Sequence, residues 1–202
     1  MKLAFSTENI KSESFLELCN KTAEYGFAGF EIFDAAAQKA AHEDSIFRSS
    51  MRAGAKRKLI NRHINIATLK YPKVISNESF ADDIATYVET AAIVGAPSVT
   101  VRLEVSDCDT LKAALAPAVK KAETLGVLIL IETVGEYAHT EKVLDVINLF
   151  ETATIGVAWN IRATFFEGKE TADNTIQTLG AYISFARIGD RKDGRNVLLG
   201  EG

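Results

Sequence analysis

Short apolar runs alternate with longer amphipathic segments along the chain. The runs begin near seven positions, which are Lys2, Ala28, His63, Pro97, Val127, Ile155 and Tyr182. Successive starts lie 26 to 35 residues apart, close to the roughly 30 residues that a strand, a crossover helix and two loops occupy. The pattern therefore predicts seven βα units and a parallel sheet.

The amphipathic segments carry helix boundary signals. Ser14 is followed three residues later by Glu17, which is the pattern of a capping box. A glycine precedes the next strand at four junctions, Gly26, Gly95, Gly126 and Gly180, where it favours a left-handed helix cap. The recurrence of one junction indicates a repeated supersecondary unit, as in a (β/α) barrel or a doubly wound sheet.

The first strand-to-helix turn favours the barrel. It reads Ser6-Thr7-Glu8-Asn9, without the glycines that a doubly wound nucleotide-binding fold needs to cradle phosphates. The chain also contains no GxSxG and no HExxH motif. We therefore predict an α/β fold of TIM type, with seven units in a single domain over residues 1–202.

Composition excludes several classes of function. The chain has 23 Lys+Arg against 27 Asp+Glu and a net charge of −4, so it has no basic field for nucleic acid or an anionic membrane. Its two cysteines, Cys19 and Cys108, lack CxxC spacing, and no apolar stretch resembles a membrane span or a signal sequence. We expect a cytoplasmic protein that binds neither nucleic acid nor membrane.

Candidate chemistry lies where the predicted strands end, because barrel enzymes place their active sites at that face. The polar residues closing the strands are Glu31, Lys70, Arg102, Glu104, Glu132, Asn160, Arg162, Arg187 and Asp190. Glu132 ends the apolar run Val127–Ile131, and a buried carboxylate there requires a partner or a metal ion.

Five segments together resemble one known family. They are GFAGFEIFD, VTVRLE, ILIETVGEYAHT, VAWNIRATFF and YISFARIGDRKDGRNVLLGEG, and in this order they are similar to the xylose isomerase-like TIM barrels, the sugar phosphate isomerase/epimerase group. The resemblance runs over nearly the whole chain. It implies a barrel that binds a divalent cation through Glu, Asp, His and Glu on strands five to eight and moves a proton beside a carbonyl or hydroxyl group.

The ligand set that the resemblance implies is not intact. Glu132 matches the first ligand, but Asn160 stands at the Asp position and Arg187 at the His position. An amide is a poorer ligand for a hard cation, and a guanidinium cannot ligate one. We therefore expect no metal cofactor. The chain stops at Gly202, where the family continues into strand eight, so we expect an open barrel that is truncated or part of a longer protein.

Three hypotheses remain open. The first is an active sugar or polyol (phosphate) isomerase/epimerase, which only the resemblance suggests. In one version of it the enzyme works without the divalent metal, with Glu132 as base and Arg187 or Arg102 stabilising an oxyanion. The second is a metal-free pseudoenzyme or binding domain whose mouth holds a sugar-like or anionic ligand, such as a phosphate or carboxylate. The third is a structural domain of a larger protein, whose pocket is filled by its own ion pairs.

The predicted site residues follow from the first two hypotheses. We assign catalysis to Glu132 and Arg187, and ligand binding to Lys70, Arg102, Asn160, Arg162 and Asp190. Without a metal, Glu132 needs a cation, and strand alternation places Arg187 on the same inner face. We predict that Arg187 pairs with Glu132, that Asn160 bridges them, and that a homodimer or neighbouring domain covers the open barrel edge.

Overall fold

A computed structural model describes residues 2–10, 13–193 and 195–202 of the chain. Seven parallel strands form one sheet in the order β1 to β7. They are β1 (Ala4–Ser6), β2 (Gly29–Phe33), β3 (Asn65–Ile75), β4 (Ser98–Leu103), β5 (Leu128–Glu132), β6 (Ile155–Asn160) and β7 (Ile183–Arg187). Each begins within two residues of its predicted start, so the unit count and the parallel sheet are confirmed.

Eight α-helices connect or flank the strands in the described part of the chain. They are α1 (Phe15–Glu24), α2 (Ala35–Ala41), α3 (Arg52–Arg62), α4 (Ala81–Val94), α5 (Cys108–Leu125), α6 (Thr140–Phe150), α7 (Ile161–Phe166) and α8 (Ala172–Leu179). The β2–β3 and β6–β7 connections each hold two helices rather than one. The whole is a curled half-barrel with helices between its strands, consistent with a TIM-type barrel that lacks one unit.

The helix boundaries follow most of the predicted signals. Ser14 and Glu17 form the predicted capping box, in which Ser14 Oγ accepts from the Glu17 N–H at 3.3 Å and Glu17 accepts from the Ser14 N–H at 2.7 Å. Gly95 has a φ of 80°, the left-handed conformation expected of a glycine cap. Gly180 was expected to do the same, but that prediction is wrong, because its φ is −51° and it begins a short 3₁₀ turn.

The core lies on both faces of the middle strands. Every residue of β5 after Leu128 is buried, and so is every residue of β6 before Asn160, because helices cover the outside while side chains fill the inside. Strand β7 differs, since its outward residues Ser184 and Ala186 are exposed. The outer face of β7 is thus less covered than that of its neighbours.

The described chain contains no eighth strand in the main sheet. After β7 the chain instead forms a short antiparallel hairpin of β8 (Asp190–Lys192) and β9 (Arg195–Val197), which the sequence pattern did not predict. Within the described residues, no helix combines the length and apolar character needed to cross a bilayer.

Candidate functional site

Charged and amide side chains from five strands meet at the carboxyl end of the sheet. Glu31 and Lys70 lie in the middle of β2 and β3, Glu132 ends β5, and Asn160 and Arg187 end β6 and β7 as register partners. Lys70 and Glu132 are only 3% and 4% exposed. Asn160 and Arg187 lie at one height, whereas Glu132 pairs with Ala158, so the similar height expected for all three residues holds only for Asn160 and Arg187.

Glu132 is held by two cations and one amide. Lys70 Nζ lies 2.9 Å from its Oε2, and Arg187 Nε lies 3.2 Å from its Oε1. Asn160 Nδ2 donates a hydrogen bond to Oε1 at 3.3 Å. The two cation contacts lack the alignment of hydrogen bonds, so they stabilise the carboxylate mainly through charge.

This environment decides the ionisation of Glu132. Burial by itself would raise the pKa of the carboxyl group, because a buried charge loses its hydration. The nearby charges of Arg187 and Lys70, helped by the Asn160 amide, outweigh that penalty and hold the pKa of Glu132 below its ordinary value. Glu132 is therefore ionised at neutral pH.

Arg187 makes its hydrogen bonds to Glu31 rather than to Glu132. Its Nη1 donates to Glu31 Oε1 at 3.1 Å and its Nη2 donates to Glu31 Oε2, while Ser6 Oγ donates to Glu31 Oε1 at 2.6 Å. The predicted pairing of Arg187 with Glu132 is present as an ion pair. The predicted bridge is wrong, because Asn160 donates to Glu132 but its Oδ1 accepts from the Ala163 N–H rather than from Arg187. The fork of two parallel N–H groups matches the Glu31 carboxylate, and only the single Nε faces Glu132.

A carboxylate from the first loop completes the arrangement. Glu8, between β1 and α1, accepts a hydrogen bond from Lys70 Nζ at 2.8 Å. Arg102 Nη1 lies 3.9 Å from the other oxygen of Glu8, and Arg102 Nη2 donates to the Pro72 carbonyl at 2.9 Å. A register shift in β3 between Lys70 and Val74 brings that carbonyl beside β4. We refer to Glu8, Glu31, Lys70, Arg102, Glu132, Asn160 and Arg187 as the mouth cluster.

Two predicted site residues are not joined to the mouth cluster. No hydrogen bond or ion pair links Arg162 or Asp190 to it among the described residues. Arg162 lies in the first turn of α7, which begins directly after Asn160. Asp190 lies in the hairpin, where it accepts from the N–H groups of Gly200 at 2.8 Å and Gly202 at 3.0 Å, and these bonds lower its pKa.

Sequence reasoning assigned no role to Glu31 or Glu8. Glu31 was recognisable as a polar residue closing an inward-facing strand position, but nothing in the pattern identified Arg187 as its partner across 156 residues. Glu8 had no signal at all, because its loop has no periodicity from which a side-chain direction follows.

The donor set at Glu132 does not fit a divalent cation. In the part of the chain that the structure describes, no three His, Cys, Asp or Glu side chains are grouped so as to hold a metal ion. Glu132 is instead approached by an ammonium group and a guanidinium group, and hard cations prefer several oxygen ligands.

Comparison with known proteins gives the relationship of the chain. A family model described as xylose isomerase-like TIM barrel matches residues 19–202. No curated protein matches the chain significantly.

Solved structures share the fold at low sequence identity. A D-tagatose 3-epimerase-like protein is 17% identical with a TM-score of 0.73, over 100% of this chain and 82% of that one. The IOLI protein with a binding zinc atom is 18% identical with a TM-score of 0.74, over 96% and 74% of the two chains. The probable 3-DHS dehydratase AsbF from Bacillus anthracis is 13% identical with a TM-score of 0.75, over 96% and 75%. At these identities the likeness shows the fold alone.

Proposed function

This chain belongs to the xylose isomerase-like TIM barrel family, and we propose that it binds a small sugar-like or anionic molecule at the mouth cluster without a divalent cation. The observation that carries the proposal is the pair of cations on Glu132, with Lys70 Nζ at 2.9 Å and Arg187 Nε at 3.2 Å. The positive charge that a metal ion would supply is thereby provided by side chains of the chain itself.

Charge balance supports the absence of a metal. The ion-pair network joins three carboxylates, Glu8, Glu31 and Glu132, to three cations, Lys70, Arg102 and Arg187, so its formal charges cancel. A divalent cation entering this network would face two buried positive charges and would have to displace them from Glu132. The mouth cluster is consequently a poor metal site, because its own cations already neutralise its carboxylates.

The polar groups suit a ligand with several hydroxyls. Arg102 and Glu8 are 25% and 34% exposed at the opening, so a guanidinium donor and a carboxylate acceptor are both reachable. A sugar hydroxyl can donate to a carboxylate and accept from a cation at the same time. The fold-level likeness to an epimerase-like protein supports the same class of ligand by analogy.

A second candidate function is metal-free isomerisation or epimerisation. It is favoured by the ionised state of Glu132 beside Arg187 and Lys70. Glu132 would accept a proton from the carbon next to a substrate carbonyl, and the oxyanion formed on that carbonyl oxygen would be stabilised by Lys70 or Arg187. Isomerisation is completed when Glu132 returns the proton to the carbonyl carbon and the hydroxyl proton of the neighbouring carbon passes to the former carbonyl oxygen. Epimerisation is completed when water delivers a proton to the opposite face and Glu132 gives its own proton to water.

Both candidates are tested with the protein stripped by a chelator. Calorimetric titration with a panel of sugars, polyols and their phosphates should find a ligand whose Kd is the same, within about twofold, with EDTA and with added Mg²⁺, Mn²⁺ or Zn²⁺. Proton exchange from that ligand into deuterated water, followed by NMR, then separates isomerisation from binding. A ligand that binds only with a divalent cation contradicts the proposal.

A variant of Glu132 tests whether the ligand binds at the mouth cluster. Glu132→Gln removes the central carboxylate while keeping its size, and should weaken binding of the same ligand at least about tenfold. Glu89→Gln is the matched control, because it removes one carboxylate from an exposed ion pair with Lys121, and its Kd should equal that of the wild type.

A further inference from the structure

We propose that Lys70 and Arg102 form an anion-binding subsite and that Glu8 occupies it as an internal competitor, so that a ligand with an anionic oxygen group binds by displacing Glu8. This inference rests on the proposed function, because it names the ligand class and the mode of entry at the same mouth. It adds a residue, Glu8, that sequence analysis did not identify.

The contacts of Glu8 are those of a bound oxyanion. One oxygen accepts from Lys70 Nζ at 2.8 Å, and the other lies 3.9 Å from Arg102 Nη1. A phosphate or carboxylate group in this place would meet the same two cations. Arg102 also retains unused donor capacity, because its Nε is buried with no hydrogen-bond partner among the described residues.

Glu8 is the carboxylate best able to leave. It lies in the loop after β1 and is 34% exposed, whereas Glu132, the other carboxylate on Lys70, ends a buried strand and is 4% exposed. When Glu8 moves away, Lys70 keeps Glu132 at 2.9 Å, so the ammonium is never left unpaired in the interior. Displacement therefore exchanges one partly hydrated anion for another, at low cost to the fold.

Arg187 is a poorer anion receptor than Lys70 and Arg102. Its two terminal nitrogens already donate to Glu31, and Nε faces Glu132. Its charge is already shared between two buried carboxylates, which would repel an incoming anion. The subsite consequently lies on the side of β3 and β4, at Lys70 and Arg102.

The test is titration of wild type and Glu8→Gln with inorganic phosphate and, separately, with acetate, at constant ionic strength. Glu8→Gln keeps the size of the side chain but removes the competing charge, so the Kd for phosphate should fall about tenfold. The double variant Glu8→Gln, Arg102→Gln should lose that gain. Arg102 is 25% exposed, so its replacement does not leave a buried hole.

The controls separate a specific subsite from a general charge effect. Glu89→Gln changes the net charge equally at a remote exposed pair and should leave the Kd for phosphate unchanged. A gain with phosphate alone identifies a phosphoryl group, and a gain with acetate identifies a carboxylate; either supports the inference. Unchanged affinity in Glu8→Gln, or an equal gain in Glu89→Gln, overturns it.

The experiment also distinguishes this inference from the proposed function. A gain in phosphate affinity in Glu8→Gln, with no sugar or polyol bound, establishes the subsite and limits the proposed function to anionic ligands. Phosphate binding that requires a divalent cation would instead contradict the proposed function. Metal-independent binding of a sugar with no gain in Glu8→Gln leaves the proposed function intact and refutes the competitor.

Discussion

Arg187 joins two buried carboxylates, Glu31 and Glu132. Its side chain is 16% exposed, and it contacts Glu31 and Glu132, which are 5% and 4% exposed. Burial disfavours the charged guanidinium, but these carboxylates outweigh that effect and raise the pKa of Arg187. The residue therefore stays charged throughout the working range of pH.

Arg187→Ala should lower the free energy of unfolding by about 3–5 kcal/mol, because it leaves buried carboxylate charge without its cation. Urea denaturation at neutral pH measures the change. Arg162→Ala is the control, since Arg162 makes no ion pair with the described residues, and it should change the stability by less than about 0.5 kcal/mol. Equal stability of Arg187→Ala and wild type would mean that the pair is screened by solvent.

Glu132 should make the free energy of unfolding depend on pH. Its folded-state pKa lies below its ordinary value of 4.5, so the unfolded chain binds the proton more readily than the folded one. The stabilisation is therefore complete above the unfolded pKa and is lost as the pH falls through the lower folded pKa.

Urea denaturation of wild type and Glu132→Gln between pH 7 and pH 3 tests the direction of this pH dependence. The variant should be less stable than wild type at pH 7, and the difference should narrow as the pH falls below about 4.5. A difference that is the same at pH 7 and at pH 3 would show that the carboxylate charge does not contribute.

At the scale of elements, the strands were predictable and several connections were not. Strand starts follow from period-two and apolar patterns that a buried sheet requires, and all seven lie within two residues of the predicted positions. The register then brought Glu132, Asn160 and Arg187 together as expected. Glu8 and the two-helix connections escaped prediction, because loop direction depends on tertiary contacts such as Lys70 to Glu8.

Two glycines at helix ends, Gly95 and Gly180, form a matched pair for testing the assigned backbone conformations. Gly95 has a φ of 80° and Gly180 a φ of −51°, so only Gly95 occupies the left-handed region. Gly95→Ala should destabilise the fold by about 1–2 kcal/mol, although a Cβ there would meet no atom within 4 Å. Gly180→Ala should be neutral or slightly stabilising. Thermal denaturation of both variants measures this, and equal effects would contradict the assigned conformations.

At the scale of the whole molecule, the mouth cluster links strands near the two ends of the half-barrel. The pair of Glu31 and Arg187 connects β2 to β7 over 156 residues, and β1 and β7 are the outer strands of the sheet. Among the described residues each of these outer strands has one edge that pairs with no other strand, so we predict that a dimer or a neighbouring domain covers this edge.

Hydrogen exchange should report the state of the edge. In the isolated chain, amides of β7 should exchange much faster than those of β4 and β5, which are paired on both sides and buried on both faces. Arg187→Ala should accelerate exchange at β7 further. Protection of β7 equal to that of β5, together with a dimeric mass in solution, would show that a second copy covers the edge.

The replacement of a metal ion by side-chain cations is the central claim, and metal titration tests it most directly. Stripped wild-type protein titrated with Zn²⁺ or Mn²⁺ should show no saturable site that depends on Glu132. The double variant Asn160→Asp, Arg187→His, which supplies the donors that the family resemblance assigns to these positions, should gain metal affinity over wild type. Stoichiometric metal binding by the wild type that is abolished by Glu132→Gln would contradict the claim.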